Sequence, residues 1–295
     1  MTEYEQILTM WQQKKISNAA ELDAELNEHK ISFAYHSGKL ENDQITYHDT
    51  REIFDRGGVT AYTGDLRTLF EIQNSKKAYE VFLESFEKKA PLDEELLKRF
   101  QKALTEGTYD PRRYQIGERP GEYKKHDYVT GRNEIGAAPE DVSAEIKELL
   151  DELKDVPKDR VLLAAAYFHA KFENIHPFAD GNGRTGRLAM NYLLLVHVHP
   201  PITIHEEDRK AYYSALEAWD ERQELGDLHA FLKAEAVKTW GNYLFRERAP
   251  QKGMSLKDRI AAAEKEAARR NAQRENNRAA RIRSAEDPNQ GKGER

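Results

Sequence analysis

Residues 176 to 187 read His-Pro-Phe-Ala-Asp-Gly-Asn-Gly-Arg-Thr-Gly-Arg, which gathers an imidazole, a carboxylate, glycines and two guanidinium groups into one short loop. Apolar runs precede and follow it, so the loop joins two buried helices and opens the second one with unpaired backbone N–H groups. Those donors and the positive end of the helix dipole favour an anion. Gly181 and Gly183 let the backbone curl around a phosphate without a Cβ in the way. The planar forks of Arg184 and Arg187 suit phosphate oxygens. Asp180 makes sense beside an anion when a hard cation bridges the two. His176, with an ordinary pKa near neutrality, is a natural general base for a hydroxyl nucleophile. The chemistry these residues suit is transfer from a nucleotide phosphate, driven by positioning and charge stabilisation. The Gly-Lys-Ser/Thr ending of a Walker loop is absent. A satisfied polar loop explains any one of these residues; the combination favours chemistry.

The elements that must position this loop are mostly helical. Apolar spacing predicts helices over 4–15, 18–29 and 31–41, then a long one from Asp65 to Lys88 and another opened by Pro91 and stopped at Gly107. Helices are also predicted over 140–153, 158–173, 185–197, 206–222 and 227–247. The 158–173 helix is apolar nearly all round, which predicts a central, buried element. Between 108 and 139 the prolines and glycines break any helix. Tyr123 to Thr130 there suits a strand and Gly131-Arg132-Asn133 a turn, predicting a loop that carries a small β-hairpin.

The loop resembles the signature of Fic-domain proteins, His-x-Phe-x-(Asp/Glu)-Gly-Asn-Gly-Arg-x-x-Arg, and every defined position is matched. The resemblance covers roughly residues 30–245. It implies an all-α fold, a Fic-type helical bundle with a small β-hairpin flap over the active site. It implies protein AMPylation: transfer of AMP from ATP to a Ser, Thr or Tyr hydroxyl of a target protein. By this resemblance His176 deprotonates the hydroxyl and Asp180 holds Mg²⁺. The nucleotide is held along Gly181, Asn182, Gly183, Arg184, Thr185, Gly186 and Arg187, with Arg187 on the γ-phosphate and Phe178 anchoring the loop. Residues 108–139 fall where the family places its flap, to which targets add as a strand. Thr130, Gly131, Arg132 and Asn133 at its tip would lie near the nucleotide. Tyr212 and Tyr213 resemble residues lining the family's adenine pocket. Asp220 stands where relatives often carry Asn.

Ser37-Gly38-Lys39-Leu40-Glu41-Asn42 resembles the family's inhibitory motif, (Ser/Thr)-x-x-x-Glu-(Gly/Asn), placed N-terminal to the core as in class II members. Ser37 and Glu41 share a helix face. The resemblance implies that Glu41 pairs with Arg187 and competes with phosphate for its fork. Glu41 would also orient water for removal of AMP. Gly38 costs a helix about 1 kcal/mol relative to Ala, which suggests a releasable element.

The remaining features set limits. The chain has 295 residues, 39 % of them hydrophobic and 33 % charged, and a net charge of −6. A mildly acidic chain argues against a dedicated nucleic-acid binder. The absence of cysteine excludes disulfides, thiolate nucleophiles and Cys-type metal sites. No signal peptide or membrane-spanning run is visible, so a soluble, cytoplasmic protein is expected. Residues 251–295 carry 12 Lys+Arg against 7 Asp+Glu, a net of +5. With few large aliphatics they read as a basic, partly helical or disordered tail. The expected organisation is N-terminal helices with the inhibitory helix over 1–50, a catalytic core over 51–250 and the tail over 251–295. His197 and His199 read as structural residues at a helix end, and His169 as a satisfied core histidine. Relatives often form dimers, so a homodimer is an expected partner beside the target protein. The competing readings are a Fic-fold transferase using another nucleotide donor, and a toxin or regulatory module whose tail binds a partner.

Overall fold

The computed structural model describes residues 1–128 and 136–248, with side chains up to residue 241. The chain divides into two units, Met1–Phe245 and Arg246–Arg295, of which the first is described almost throughout. The first is a bundle of helices, and no strand occurs among the described residues. Residues 123–128 of the strand predicted from Tyr123 to Thr130 are irregular; Thr130, Gly131, Arg132 and Asn133 lie outside the described residues, as does the 251–295 tail.

Local chemistry sets each boundary. In α1 (Glu3–Gln13) Thr2 and Glu5 form a capping box, and Tyr4, Ile7 and Trp11 line the buried face. Asn18 caps α2 (Ala19–Lys39), which departs from helical geometry at Asn27. The two predicted helices at 18–29 and 31–41 are therefore one element with a kink. Sequence reasoning missed α3 (Tyr47–Arg56), which is capped by Thr46 and closed by Gly57 at φ 82°. α4 (Leu66–Glu87) starts at Asp65. α5 (Glu94–Thr105) starts at the cap Asp93, not at Pro91, because the Asp93 carboxylate takes the Leu96 N–H. α6 (Pro111–Gln115) is a single turn with Asp110 as cap and Pro111 at its first position.

The site is carried by α8 (Val161–Ile175) and α9 (Asn182–Val196), packed against each other, with α7 (Val142–Glu152) outside α8. Nearly all of α9 is buried, so it is the central element together with α8. Its burial is apolar where its Tyr192 packs edge-on against Phe82 of α4 and Phe100 of α5 and polar at defined points. Asn191 exchanges two hydrogen bonds with the backbone of Ile202, at 2.9 and 2.7 Å. After the 3₁₀ turn Glu206–Asp208 come α10 (Arg209–Arg222) and α11 (Gly226–Arg248), with the Trp240 ring tilted at 58° against Trp11. α2 lies against α4 and α9, which brings its C-terminal end over the start of α9. Among the described residues no helix is long and apolar enough to cross a membrane.

Candidate active site

The loop between α8 and α9 is held by its own sequence. α8 ends at His176, in the left-handed region at φ 51°, and Gly181 at φ 80° opens α9. Asn182 closes the loop: its Oδ1 accepts the Phe178 N–H at 2.9 Å and its Nδ2 donates to the Phe178 carbonyl at 2.7 Å. Phe178 is fully buried among Phe172 and Tyr123; removing such a ring costs about 3–5 kcal/mol. No side chain caps α9, so its first N–H groups face the site. A Cβ at Gly183 would land on Glu41 Oε1 and stand 2.9 Å from Arg187 Nη1. The glutamate's carboxylate thus sits where a helix N-terminus attracts an anion.

The same carboxylate is paired. Arg187 is 1 % exposed, and its Nη2 donates to Glu41 Oε1 at 2.7 Å and to the Ser37 carbonyl at 2.9 Å. Its Nε donates to Ser37 Oγ at 3.0 Å, and its Nη1 reaches the Tyr212 hydroxyl at 3.4 Å. Burial works against the guanidinium charge, but Glu41, together with Tyr212, Tyr213 and Glu173, outweighs it and raises the Arg187 pKa. Burial would likewise raise the Glu41 carboxyl; the charge and hydrogen bond of Arg187, with Arg184 behind, hold it below the usual carboxylate value. Ser37 lies in α2, and Glu41 lies just past the helix end, so both reach Arg187. Gly38 is explained by packing: a Cβ there would meet Ile45 Cδ1 at 2.7 Å.

Asp180 stands among three guanidinium groups. Its Oδ2 accepts from Arg67 at 3.0 Å and Arg113 at 2.9 Å, and its Oδ1 from Arg184 at 3.2 Å. Alone, a carboxylate so surrounded repels a cation. It fits one once phosphates take the arginine forks, because a single carboxylate plus phosphate oxygens is a common Mg²⁺ arrangement. Glu71 of α4 ties this group to the segment that follows α2, accepting from Arg67 Nε at 3.2 Å and Asn42 Nδ2 at 2.8 Å. A separate group, His205, Asp208 and Glu235, brings ligand atoms together, but Asp208 is bonded to Lys238 and Glu235 to His205.

His176 has its pKa lowered to about 4, chiefly by burial and then by Lys124, rather than near neutrality as its type alone suggested. Its imidazole is neutral at neutral pH. The backbone around it is clasped from both sides: Lys124 N–H donates to the Pro177 carbonyl at 2.9 Å and Ala137 N–H to the Ile175 carbonyl at 3.0 Å. Two described residues of the segment predicted as a flap, Lys124 and Ala137, are thus fastened on either side of His176.

The other predicted residues separate into two sets. Thr185 and Gly186 are buried in α9; at Gly186 a Cβ would meet Phe172 Cδ1 at 2.9 Å and His169 Nδ1 at 3.1 Å. Tyr212 is buried with its hydroxyl 2.7 Å from His169 Nε2, whereas Tyr213 is 38 % exposed. His169 is only half satisfied, since its Nδ1 has no hydrogen-bond partner and faces Glu173 Oε1 at 3.8 Å. Burial pushes the Glu173 carboxyl up to about 8 and, with Arg187, the His169 ring down to about 3. Asp220 accepts from Asn174 at 2.8 Å. His197 and His199 are structural, bonded to the Leu193 carbonyl and the Tyr4 hydroxyl. Sequence reasoning missed Arg67, Glu71, Arg113 and Glu173. Only Glu173 carried a signal, a lone acid in an apolar helix three residues before His176.

Comparison with known proteins agrees with this geometry. Residues 91–194 match the Fic/DOC family, and the chain carries a Fic/DOC domain. Over 69 residues it is 46 % identical to the protein adenylyltransferase Fic of Drosophila persimilis, covering 23 % of this chain and 13 % of that one. Over 98 residues it is 36 % identical to the protein adenylyltransferase fic-1 of Caenorhabditis elegans, covering 32 % and 18 %. The aligned stretches thus span less than a fifth of these relatives' lengths. The fold is similar to that of a Fic domain containing signaling protein from Bacteroides thetaiotaomicron, with TM-score 0.67 and 23 % identity over 81 % of this chain and 94 % of that one. It is also similar to residues 134–508 of C. elegans Fic-1, with TM-score 0.66 and 20 % identity over 83 % and 73 %.

Proposed function

We propose that this chain is a protein adenylyltransferase held inactive by its own Glu41. One observation carries the reading: the Glu41 carboxylate lies on Arg187 and over Gly183, at the helix start flanked by a neutral His176. The names of the relatives support the reaction class. His176 takes the proton of a target hydroxyl. The oxygen then bonds to the α-phosphorus of ATP, the bond from that phosphorus to the oxygen bridging to the β-phosphate breaks, and pyrophosphate leaves with its electron pair. The open N–H groups of α9 and the Arg184 fork hold the phosphates, while Arg187, freed from Glu41, holds the γ-phosphate. Asp180 is the carboxylate that would hold Mg²⁺, which when bound offsets phosphate charge. The target docks beside His176, where Lys124 and Ala137 bond to the backbone that flanks it, through backbone pairing. Its exposed hydroxyl then meets the imidazole.

The test is pyrophosphate release by Glu41→Gly with each of the four common ribonucleoside triphosphates and Mg²⁺, using the protein itself and cell extract as acceptors. Release from ATP accompanied by protein-bound AMP supports the reading. Release from another nucleotide only would replace ATP as donor.

A further inference from the structure

We propose that Arg209, the first residue of α10, is the positioning residue that seats Glu41 on Arg187; this rests on the autoinhibited reading above. The guanidinium lies at the C-terminal end of α2. Its Nη2 donates to the Leu40 carbonyl at 2.8 Å, contacts the Lys39 carbonyl, and reaches Asp43 Oδ1 at 3.1 Å. The last carbonyls of a helix have no partner within it and carry the negative end of its dipole. A cation is the group that satisfies both. Arg209 therefore fixes the two residues immediately before Glu41.

The rest of the seat is built by the same stretch of chain. The Tyr35 hydroxyl donates to Glu206 Oε1 at 3.0 Å, and the Glu206 N–H donates to His36 Nδ1 at 3.2 Å. The rings of His36 and His205 meet edge to face with centroids 4.7 Å apart. On the opposite flank Asn42 donates to Glu71 at 2.8 Å and Thr68 at 3.0 Å. The segment from Lys39 to Asp43 is thus gripped between α10 and α4.

Arg209 and Tyr212 stand three residues apart on α10, hence on one face of it. Arg209 holds the backbone that presents Glu41, and the Tyr212 hydroxyl touches Arg187. One rigid helix sets both partners of the ion pair in register. Only the Glu41 end of the pair is open, its side chain 36 % exposed against 1 % for Arg187, so the buried guanidinium needs its partner while the carboxylate depends on its backbone to be held there. The backbone seat supplies the remaining order.

The experiment compares wild type, Arg209→Gln, Arg209→Lys, Glu41→Gly and Glu41→Gly with Arg209→Gln. It measures ATP-dependent AMP transfer and amide hydrogen exchange of residues 38–42. Arg209→Gln should raise transfer roughly tenfold, the scale of a lost charged hydrogen bond at a helix end. Arg209→Lys, which keeps the charge but loses the fork, should fall between it and wild type. In the Glu41→Gly background Arg209→Gln should change transfer by less than about twofold, because additivity fails where two residues act through one contact. Exchange at 38–42 should quicken in Arg209→Gln while distant helices keep their protection. Unchanged transfer in Arg209→Gln beside an active Glu41→Gly overturns the proposal, as does a further rise in the double variant. If Glu41→Gly transfers no AMP, the adenylyltransferase reading falls, and the exchange result alone decides whether Arg209 seats the segment.

Discussion

Arg187 Nη2 and Glu41 Oε1 stand 2.7 Å apart across 146 residues of sequence, with the carboxylate resting over Gly183 at the first turn of α9. The guanidinium that would grip a terminal phosphate and the helix start that would cradle the others therefore face one internal anion. Competition for that anion site is the centre of the account.

Ser37 tests how Arg187 is shared. Its hydroxyl accepts from Arg187 Nε at 3.0 Å, but its carbonyl also accepts from Nη2. Ser37→Ala removes the first contact only. The expected result is a rise in AMP transfer of about fivefold, the scale of about 1 kcal/mol for one hydrogen bond, well below that of Glu41→Gly. Equal activation by both variants, in side-by-side labelling, would show that the carboxylate is not the main competitor.

Acid should act on stability before it acts on catalysis. Burial lowers His29 and His169 to about 3 and His36, His176 and His199 to about 4. Each is neutral when folded and takes a proton when unfolded below its ordinary value near 6.5. Their contribution is thus present above that pH and is lost as pH falls toward their folded values. Glu173, raised to about 8 by burial, has the opposite sign: its contribution is present below about 4.5 and is lost as pH rises toward 8. Between about pH 6.5 and 5 the histidines prevail, and each adds roughly 1 kcal/mol per pH unit. Chemical denaturation at stepped pH should show stability falling over that window. In the Glu41→Gly protein AMP transfer should show no inflection near 6.5; one appearing there would mean that His176 is not held neutral by its surroundings.

Asp180 should matter through magnesium. With Arg67, Arg113 and Arg184 on its oxygens, it is free for a cation only after phosphate occupies the guanidinium groups. ATP titrations of Glu41→Gly should therefore show tighter binding with Mg²⁺ than without, and Asp180→Asn should remove most of that gain. AMP transfer should fall about a hundredfold, the usual scale for a lost electrostatic contact at a reacting phosphate. A magnesium gain that survives Asp180→Asn would place the cation elsewhere.

Gly186 is a packing residue in this account. A Cβ there meets Phe172 and His169 across the α8–α9 contact and also strikes Glu173. Gly186→Ala should cost about 1–3 kcal/mol through overpacking, or several degrees in Tm at about 2–4 °C per kcal/mol for a chain of this size. Calorimetry that finds the variant as stable as wild type would show slack between these helices.

The loop of the site was legible because its chemistry is local. The spacing of His176, Asp180, Gly181, Gly183 and Arg187 is fixed by one turn between two helices, and the structure builds that turn from the same residues. The buried character of α8 followed from its unbroken apolar face. Arg67 and Arg113 were not legible, since an arginine in a polar first turn looks the same whether it faces water or a carboxylate from over sixty positions away. Glu71 was hidden for the same reason. Gly38 suggested a weak helix because propensity says nothing of a neighbour such as Ile45. The Pro91 start failed by competition: Asp93 offers a better cap two residues later.

The central claim is most directly tested by intact mass. Wild type, Glu41→Gly and Glu41→Gly with His176→Ala would each be incubated with ATP and Mg²⁺, alone and with a mixture of acceptor proteins. The account predicts AMP added to protein by Glu41→Gly, little by wild type, and none once His176 is also replaced. Equal addition by wild type and Glu41→Gly would contradict the brake, and addition that survives His176→Ala would contradict the chemistry.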